Sequence, residues 1–498
     1  MNVNPITRLD YPDLDVIRVE DTYYMVSTTM HFMPGCEILQ SFDLVHWEHA
    51  TYVYETLDHT DAQQLKSGQN IYGQGMWAAS LRYHEGRFYI CFVANDTRKT
   101  YLYTSEKIDG PWKKQLIEGF YHDGSLLFDE DGRNYIVYGN DEIWITELNE
   151  DLTAPKKDGL HRLLVSDHKN PKLGYEGSHI QKINGYYYIF LIHSLRDRWM
   201  RTEACFYSDS LEGEFTGGDV LCDDRGYCGQ GVAQGGIVDT PDGKWYAMLF
   251  QDSGAVGRLP ILLPVTWKDH FPVFGQNGHV PEEIEVHSTR PGYIYQPLVG
   301  SDDFCNGLLP RWQFNHDPDP QYYHLDALQG TYTITTREVC TELTQAVNTL
   351  TQRMSYPSCA AEVTVDASAL KDGDVAGLCA FQGCYAAVGI TKHHGKYEVL
   401  MLDKKEDGIL DMTEGTVVES HQMDFRLEAD FCNMKDEARC YYRVNKGDWL
   451  PIGTVHKLYF KLDHFTGCRF GLFCYAAEET GGSACFRDFK YYDVDEIS

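Results

Sequence analysis

The sequence has few cations, no CxxC pair and no long apolar run, and each shortage removes a class of function. Its 43 Lys and Arg face 74 Asp and Glu, a net charge of −31 over 498 residues. Nucleic acid and anionic membrane need a basic face, so neither is expected as a partner. No stretch approaches the ~20 apolar residues that span a bilayer. The N-terminal MNVNPITRLDYPDL also lacks the apolar centre of a signal peptide. Of the 15 cysteines, several (Cys91, Cys205, Cys440, Cys474) fall inside strand-like runs, where a free thiol behaves as a small buried hydrophobe. A reduced, cytoplasmic protein is expected, not a disulfide scaffold or a zinc site. Long amphipathic helical patterns are scarce as well, which points to an all-β chain.

What is present is a repeat. Five copies of a short strand, a tight turn and an aromatic-rich strand begin at Asp15, Ser80, Ser125, Ser178 and Gly236. Their turns carry Glu20-Asp21, Glu85-Gly86, Asp131-Gly132, Asn184-Gly185 and Asp242-Gly243. Two positions before each copy stand Asp13, Ala78, Asp123, Glu176 and Gln234, eight or nine residues ahead of the turn residue. A repeat of hairpins at this spacing predicts a five-bladed β-propeller over residues 1–299. Such a ring aims those five positions at one central funnel, and three carboxyl groups meeting there suggest acid/base chemistry. Aromatic residues make up 13% of the chain, with 34 Tyr and 9 Trp. Most are expected to pack strands, although such rings also line sugar grooves.

The texture changes after a proline-bearing stretch, PEEIEVHSTRPGYIYQPLV (residues 281–299). From there about seven strands with period-2 alternation, the last ending at Val494, predict a C-terminal β-sandwich over residues 300–498.

The segments NPITRLDYPDLDVIRVEDTYYMVSTT, MWAASLRYHEGRFY, HDGSLLFDEDGRNYIVYG, YEGSHIQKINGYYYIF and AQGGIVDTPDGKWYAMLFQDSGAVGR together resemble glycoside hydrolase family 43 over roughly residues 4–300. The remainder is similar to the concanavalin-like sandwich appended to its β-xylosidase-type members. The resemblance implies a five-bladed propeller enzyme that inverts the anomeric carbon of a terminal pentose. Asp13 would be the base, Glu176 the acid, and Asp123 a third carboxylate that orients Glu176 and keeps it protonated. Where the family usually has Pro after the base, this chain has Leu14, which loosens the backbone and leaves the carboxylate in place. The resemblance also implies Trp77 as a wall of the sugar pocket and Arg258 as a donor to sugar hydroxyls. Met30, His31 and Phe32 would rim the pocket. Gln234 stands where many relatives carry His. Phe314 and His316, in the Trp312–His316 segment, would belong to a sandwich loop that closes the pocket and makes the enzyme exo-acting.

Each assignment has a plainer rival. Asp13 and Asp123 sit in turn-forming contexts, Trp77 could pack a blade, Arg258 could form a surface ion pair, and the Trp312–His316 segment could be a buried strand. Glu176 before Gly177 has no common turn role. His122, His179 and His193 are read as packing or supporting residues. No cofactor is expected to be required; a structural calcium stays open, without a dense acidic loop to hold it. The metal ligands, if any, are unknown, and so is whether the chain forms a homo-oligomer. The expected substrate is a small neutral oligosaccharide ending in β-D-xylose or, alternatively, α-L-arabinofuranose. Competing functions are a non-catalytic sugar-binding propeller, which has no need of all three carboxylates, and a phosphorylase. The latter needs a basic cluster by the acid, where the sequence offers only Lys172 and Lys182.

Overall fold

In the computed structural model, which describes residues 3–413 and 415–493, the turn chemistry does what the sequence asks of it. Glu85-Gly86 and Asn184-Gly185 take positive φ at both residues (48° and 78°; 50° and 84°), the mirror-image turn that matches strand twist in a two-residue hairpin. Around Asp131-Gly132 and Asp242-Gly243 the loops are longer, closed by Gly132 N–H to Asp129 O at 3.0 Å and Gly243 N–H to Thr240 O at 2.9 Å. Each hairpin grows into a four-stranded antiparallel sheet, and there are five of them. Their innermost strands are Asp15–Val19, Met76–His84, Ser125–Phe128, Glu176–Ile183 and Val232–Asp239. Each touches the next, and the fifth touches the first, so blades 1 to 5 close a ring.

Alternating apolar residues stick adjacent blades together. Ile38 and Leu81 belong to one buried cluster between blades 1 and 2, Leu102 and Ile136 to one between blades 2 and 3, and Ile145 and Ile189 to one between blades 3 and 4. Phe190 and Leu263 join blades 4 and 5, and Val16 and Leu262 join blades 5 and 1. Full burial of each such side chain stabilises by about 1.5–3 kcal/mol. The ring closure is also pinned by polar groups. Asn4 exchanges two hydrogen bonds with the backbone of Leu262, at 2.7 and 2.8 Å. Tyr11 N–H donates to Arg258 O at 3.0 Å.

The propeller strands end at Phe274, and the sandwich strands begin at Gln313. The sandwich has a seven-stranded sheet and a nine-stranded one, so the expectation of about seven strands falls short. The shortfall comes from brief segments such as Gln313–Asn315, Leu410–Met412 and Thr416–Val418, too short to show alternation. The expected strand end at Val494 lies outside the described residues, as do the outermost residues of both expected domains; the strand runs Ser483–Asp493. One strand of the larger sheet, Phe32–Met33, comes from the propeller: Phe314 pairs with Met33 and Asn315 with Phe32. The two halves are therefore sewn together by a β-ladder beside the funnel.

Candidate active site

In every blade the inner strand is entered through one residue in the left-handed region: Asp13 (φ 51°), Ala78 (35°), Asp123 (48°), Gly177 (66°) and Gln234 (60°). Side chains two residues later chain the blades together. Asp15 accepts from Leu81 N–H at 2.8 Å, Ser80 from Leu126 N–H at 3.1 Å, and Ser125 from Ile180 N–H at 3.0 Å. This ladder makes His179 the counterpart of Asp15, Ser80 and Ser125, and so corrects the sequence register in blade 4. Gly177, not Glu176, stands where Asp13 and Asp123 stand. Glu176 is one residue earlier, laddered to Ile192 as Trp77 is to Val93. A Cβ at 177 would lie 2.8 Å from Gln234 Cγ, so the glycine leaves room for the Gln234 side chain to lie against this strand.

The structure still gathers the three carboxylates at one end of the propeller axis, each in a different setting. Asp13 Oδ1 accepts from an Arg258 guanidinium N–H at 2.9 Å, with both side chains nearly out of solvent. Asp123 Oδ2 accepts from Gly177 N–H at 2.9 Å. Burial pushes its pKa up to about 6; the Glu176 and Asp13 charges add to this, while His122 and the Gly177 bond oppose it. Glu176 Oε2 accepts from Asn140 Nδ2 at 2.7 Å. Its side chain keeps 19% exposure, against 7% for Asp123 and 9% for Asp13.

His122, expected to be a packing or supporting residue, stands between two of these carboxylates. Its Nε2 lies 3.5 Å from Asp123 and 3.8 Å from Glu176. The charge on Asp123, with help from Glu176, raises its pKa to about 9 despite burial, so it is an imidazolium at neutral pH. Among the described residues, His122, Asp123 and Glu176 are the group whose ligand-type atoms come within 4.8 Å of one another. A cation held by these three atoms would have to displace the proton that the two carboxylates favour on the ring.

Trp77 is half-buried, with its ring 6.3 Å from His122 and 5.5 Å from Phe465. Its buried Nε1 has no hydrogen-bond partner among the described residues, a donor left for a ligand. Phe465, which sequence reasoning missed, comes from the sandwich. Its ring faces the Arg258 guanidinium at 4.3 Å, and its carbonyl accepts from the same side chain at 3.4 Å. Asp10 ties this loop to the propeller: its carboxylate accepts from Arg258 N–H and from Gly467 N–H, both at 2.7 Å. Arg201 was missed as well. It is buried and bonded to Asp252 at 2.7 Å. Burial works against the cation, but Asp252, then Glu176 and Asp13, outweigh it and raise its pKa. Gln234 is buried, and its N–H donates to Glu203 at 2.7 Å.

Other expected pocket residues lie elsewhere. Phe314 is buried in the sandwich core against Tyr323, because its strand is inserted between Phe32–Met33 and Leu350–Arg353. His316 is fully buried, accepts from Ile71 N–H at 2.9 Å and packs on Tyr72. Phe32 lies under Arg469, 3.5 Å from its guanidinium, and forms domain interface rather than rim. Met30 is buried too, bridged by backbone to Met76 beside Trp77. His31 is enclosed with Tyr72, His316 and His464. His179 bonds Asp15 at 3.2 Å, and His193 bonds Asp219 at 2.7 Å.

A family model described as Glycosyl hydrolases family 43 matches residues 3–272, and one described as Beta xylosidase C-terminal Concanavalin A-like domain matches residues 301–492. A beta-xylosidase of Formosa agariphila is 26% identical, over 99% of this chain and 89% of its own. A non-reducing end alpha-L-arabinofuranosidase of Bacteroides ovatus is 25% identical, over 66% of this chain and 63% of its own. A solved structure described as a bifunctional GH43-CE protein of Bacteroides eggerthii superimposes with a TM-score of 0.92 at 42% identity. The match covers 98% of this chain, which spans only 63% of that longer one.

Proposed function

The chain belongs to glycosyl hydrolases family 43 and is a glycosidase, and from that premise we propose that it removes single terminal pentoses from neutral oligosaccharides with inversion. One observation carries the reading: Asp13, Asp123 and Glu176 share one end of the propeller axis but differ in partner and exposure. An inverting hydrolysis needs two unlike carboxyl groups. Glu176, the most accessible, gives its proton to the glycosidic oxygen as the bond from C1 breaks. Asp13, turned by Arg258, takes a proton from the water that attacks C1 from the opposite face. Asp123, held by Gly177 N–H, and the His122 cation fix the position of Glu176 and the local charge.

Phe465 packs on Trp77 with ring centres 5.5 Å apart, so a side chain of the sandwich closes one flank of the site; this supports exo-action, since a flanked site takes a chain end more readily than a chain middle. β-D-xylose is preferred as the released sugar, because the sandwich matches a β-xylosidase domain and a beta-xylosidase relative aligns over nearly the whole chain. α-L-arabinofuranose is the second reading, favoured by the arabinofuranosidase relative. A phosphorylase finds less support: Lys182 is engaged by Asp129, and Arg258 and Arg201 by Asp13 and Asp252.

The test is release of p-nitrophenol from the β-D-xylopyranoside and the α-L-arabinofuranoside by wild type and Asp13→Asn. Loss of a base from such a site costs roughly 10²–10⁴-fold. Equal rates in the two proteins would remove Asp13 from the chemistry, and release that depends on phosphate would point to the phosphorylase.

A further inference from the structure

Of the nine tryptophans in the chain, Trp199 alone stands among the exposed large hydrophobic side chains, at 48% exposure. A single exposed apolar residue usually needs no explanation. Three features set this one apart.

The first is place. Residues 195–200 join Tyr186–Ser194 to Arg201–Ser208 in blade 4, and the ladder between those strands ends with Ser194 opposite Arg201. Glu176 pairs with Ile192, two residues before that end, so the loop stands at the same end of the blade as the proton donor. The second is support. The Arg201 guanidinium lies 5.5 Å from the centre of the indole, and Arg201 is clamped by Asp252 at 2.7 Å. The field of Arg201 in turn reaches Glu176 and Asp13. One face of the indole is therefore anchored to the charge network of the site. The third is rigidity. Leu195 N–H donates to Met200 O at 3.0 Å, and the loop is tied down by the Arg196–Asp167 ion pair. An aromatic ring fixed before a ligand arrives loses little entropy on binding.

We propose that Trp199 is the platform on which the sugar ring next to the cleaved bond stacks, on the leaving-group side. This rests on the glycosidase reading above and extends it to the recognition of the leaving group. The C–H face of a pyranose is apolar and its edges are hydroxylated, which suits an amphipathic ring flanked by donors. A neutral ring fits better than a uronic acid: Arg196 is paired to Asp167 and Arg198 lies 3.2 Å from Asp197, so the loop's cations are balanced by acids beside them.

The experiment compares two substrates with the same terminal pentose, a methyl glycoside and a linear trisaccharide, for wild type, Trp199→Phe and Trp199→Ala. The methyl group offers no ring to stack. The alanine variant should raise KM for the trisaccharide roughly tenfold more than for the methyl glycoside, with phenylalanine restoring most of the loss. Equal effects on both substrates, or none on either, would overturn the platform. The wild-type rates read the parent hypothesis separately: hydrolysis of neither substrate would overturn the exo-glycosidase reading and the platform with it.

Discussion

The two ends of the propeller axis are built from the same five strands and differ in how their charges are balanced. At the end away from the carboxylates lies a cavity of about 410 Å³, lined by Arg18, Arg82, Lys182 and Asp239 among others. Each cation there has its own acid: Arg18 with Asp239 at 2.5 Å, Arg82 with Asp15 at 2.7 Å, Lys182 with Asp129 at 2.6 Å. Burial alone would raise the Asp15 pKa, but Arg82 and His179 outweigh it and bring it down to about 2. At the other end Asp123 is pushed up to about 6 and His122 up to about 9. Asp15 heads the first inner strand and pairs with Arg82 at the balanced end, while Asp13, two residues before that strand, serves the other end, where Arg258 holds it. Volume does not mark the working end; acids left short of counter-charge do.

The strongest way to break this comparison is at Glu176. Glu176→Gln should keep the fold and lose roughly 10²–10⁴-fold in kcat/KM on oligosaccharides, whose leaving oxygen needs a proton. The loss should be much smaller on aryl glycosides with good leaving groups. Equal losses on both would show that Glu176 is not the acid. Next in size is Arg82→Met at the balanced end, which strands a buried carboxylate and should destabilise by about 3–5 kcal/mol at neutral pH. A depressed folded-state pKa gives stability that is present above the unfolded value near 4 and lost as pH falls through about 2. The deficit of the variant in urea melts should therefore shrink on acidification. A deficit that stays constant down to pH 2 would mean that Arg82 acts by packing alone.

The sequence shows the ring plainly, because turn pairs and alternating apolar residues are local signals. It misplaces Glu176 by one register, yet a clue was there. Two-residue turns put the funnel position eight residues before the turn glycine, as in Ala78 to Gly86, and Asn184-Gly185 is such a turn. Counting eight back from Gly185 reaches Gly177. The nine-residue offsets of blades 3 and 5 belong to longer loops. The contacts between domains were not legible, since nothing local says that Phe314 pairs with Met33. For the same reason Phe465 was missed: LYFKLDHF alternates like an ordinary strand, and only the bonds from Asp10 to Arg258 and Gly467 reveal which way its loop is held. Asn140 and Arg201 end and begin outer strands, where sequence pattern gives no hint that the strand end faces the site.

The smallest expected effect is also the one of opposite sign. A carboxyl whose folded-state pKa is raised destabilises the fold when ionised. The Asp123 penalty is absent below the unfolded value near 4, builds as pH rises, and is fully present above about 6. Asp123→Asn keeps an oxygen to accept the Gly177 N–H and removes the charge. It should therefore stabilise the protein by about 1–2 kcal/mol at pH 7, with no gain at pH 4, while slowing hydrolysis because Glu176 loses its charged neighbour. Arg82→Met and Asp123→Asn would then move stability in opposite directions over neighbouring pH ranges, from positions on the same ring of strands. A gain for Asp123→Asn that is equal at pH 4 and pH 7 would trace it to packing, and the acids at the site end would no longer count as a cost to the fold.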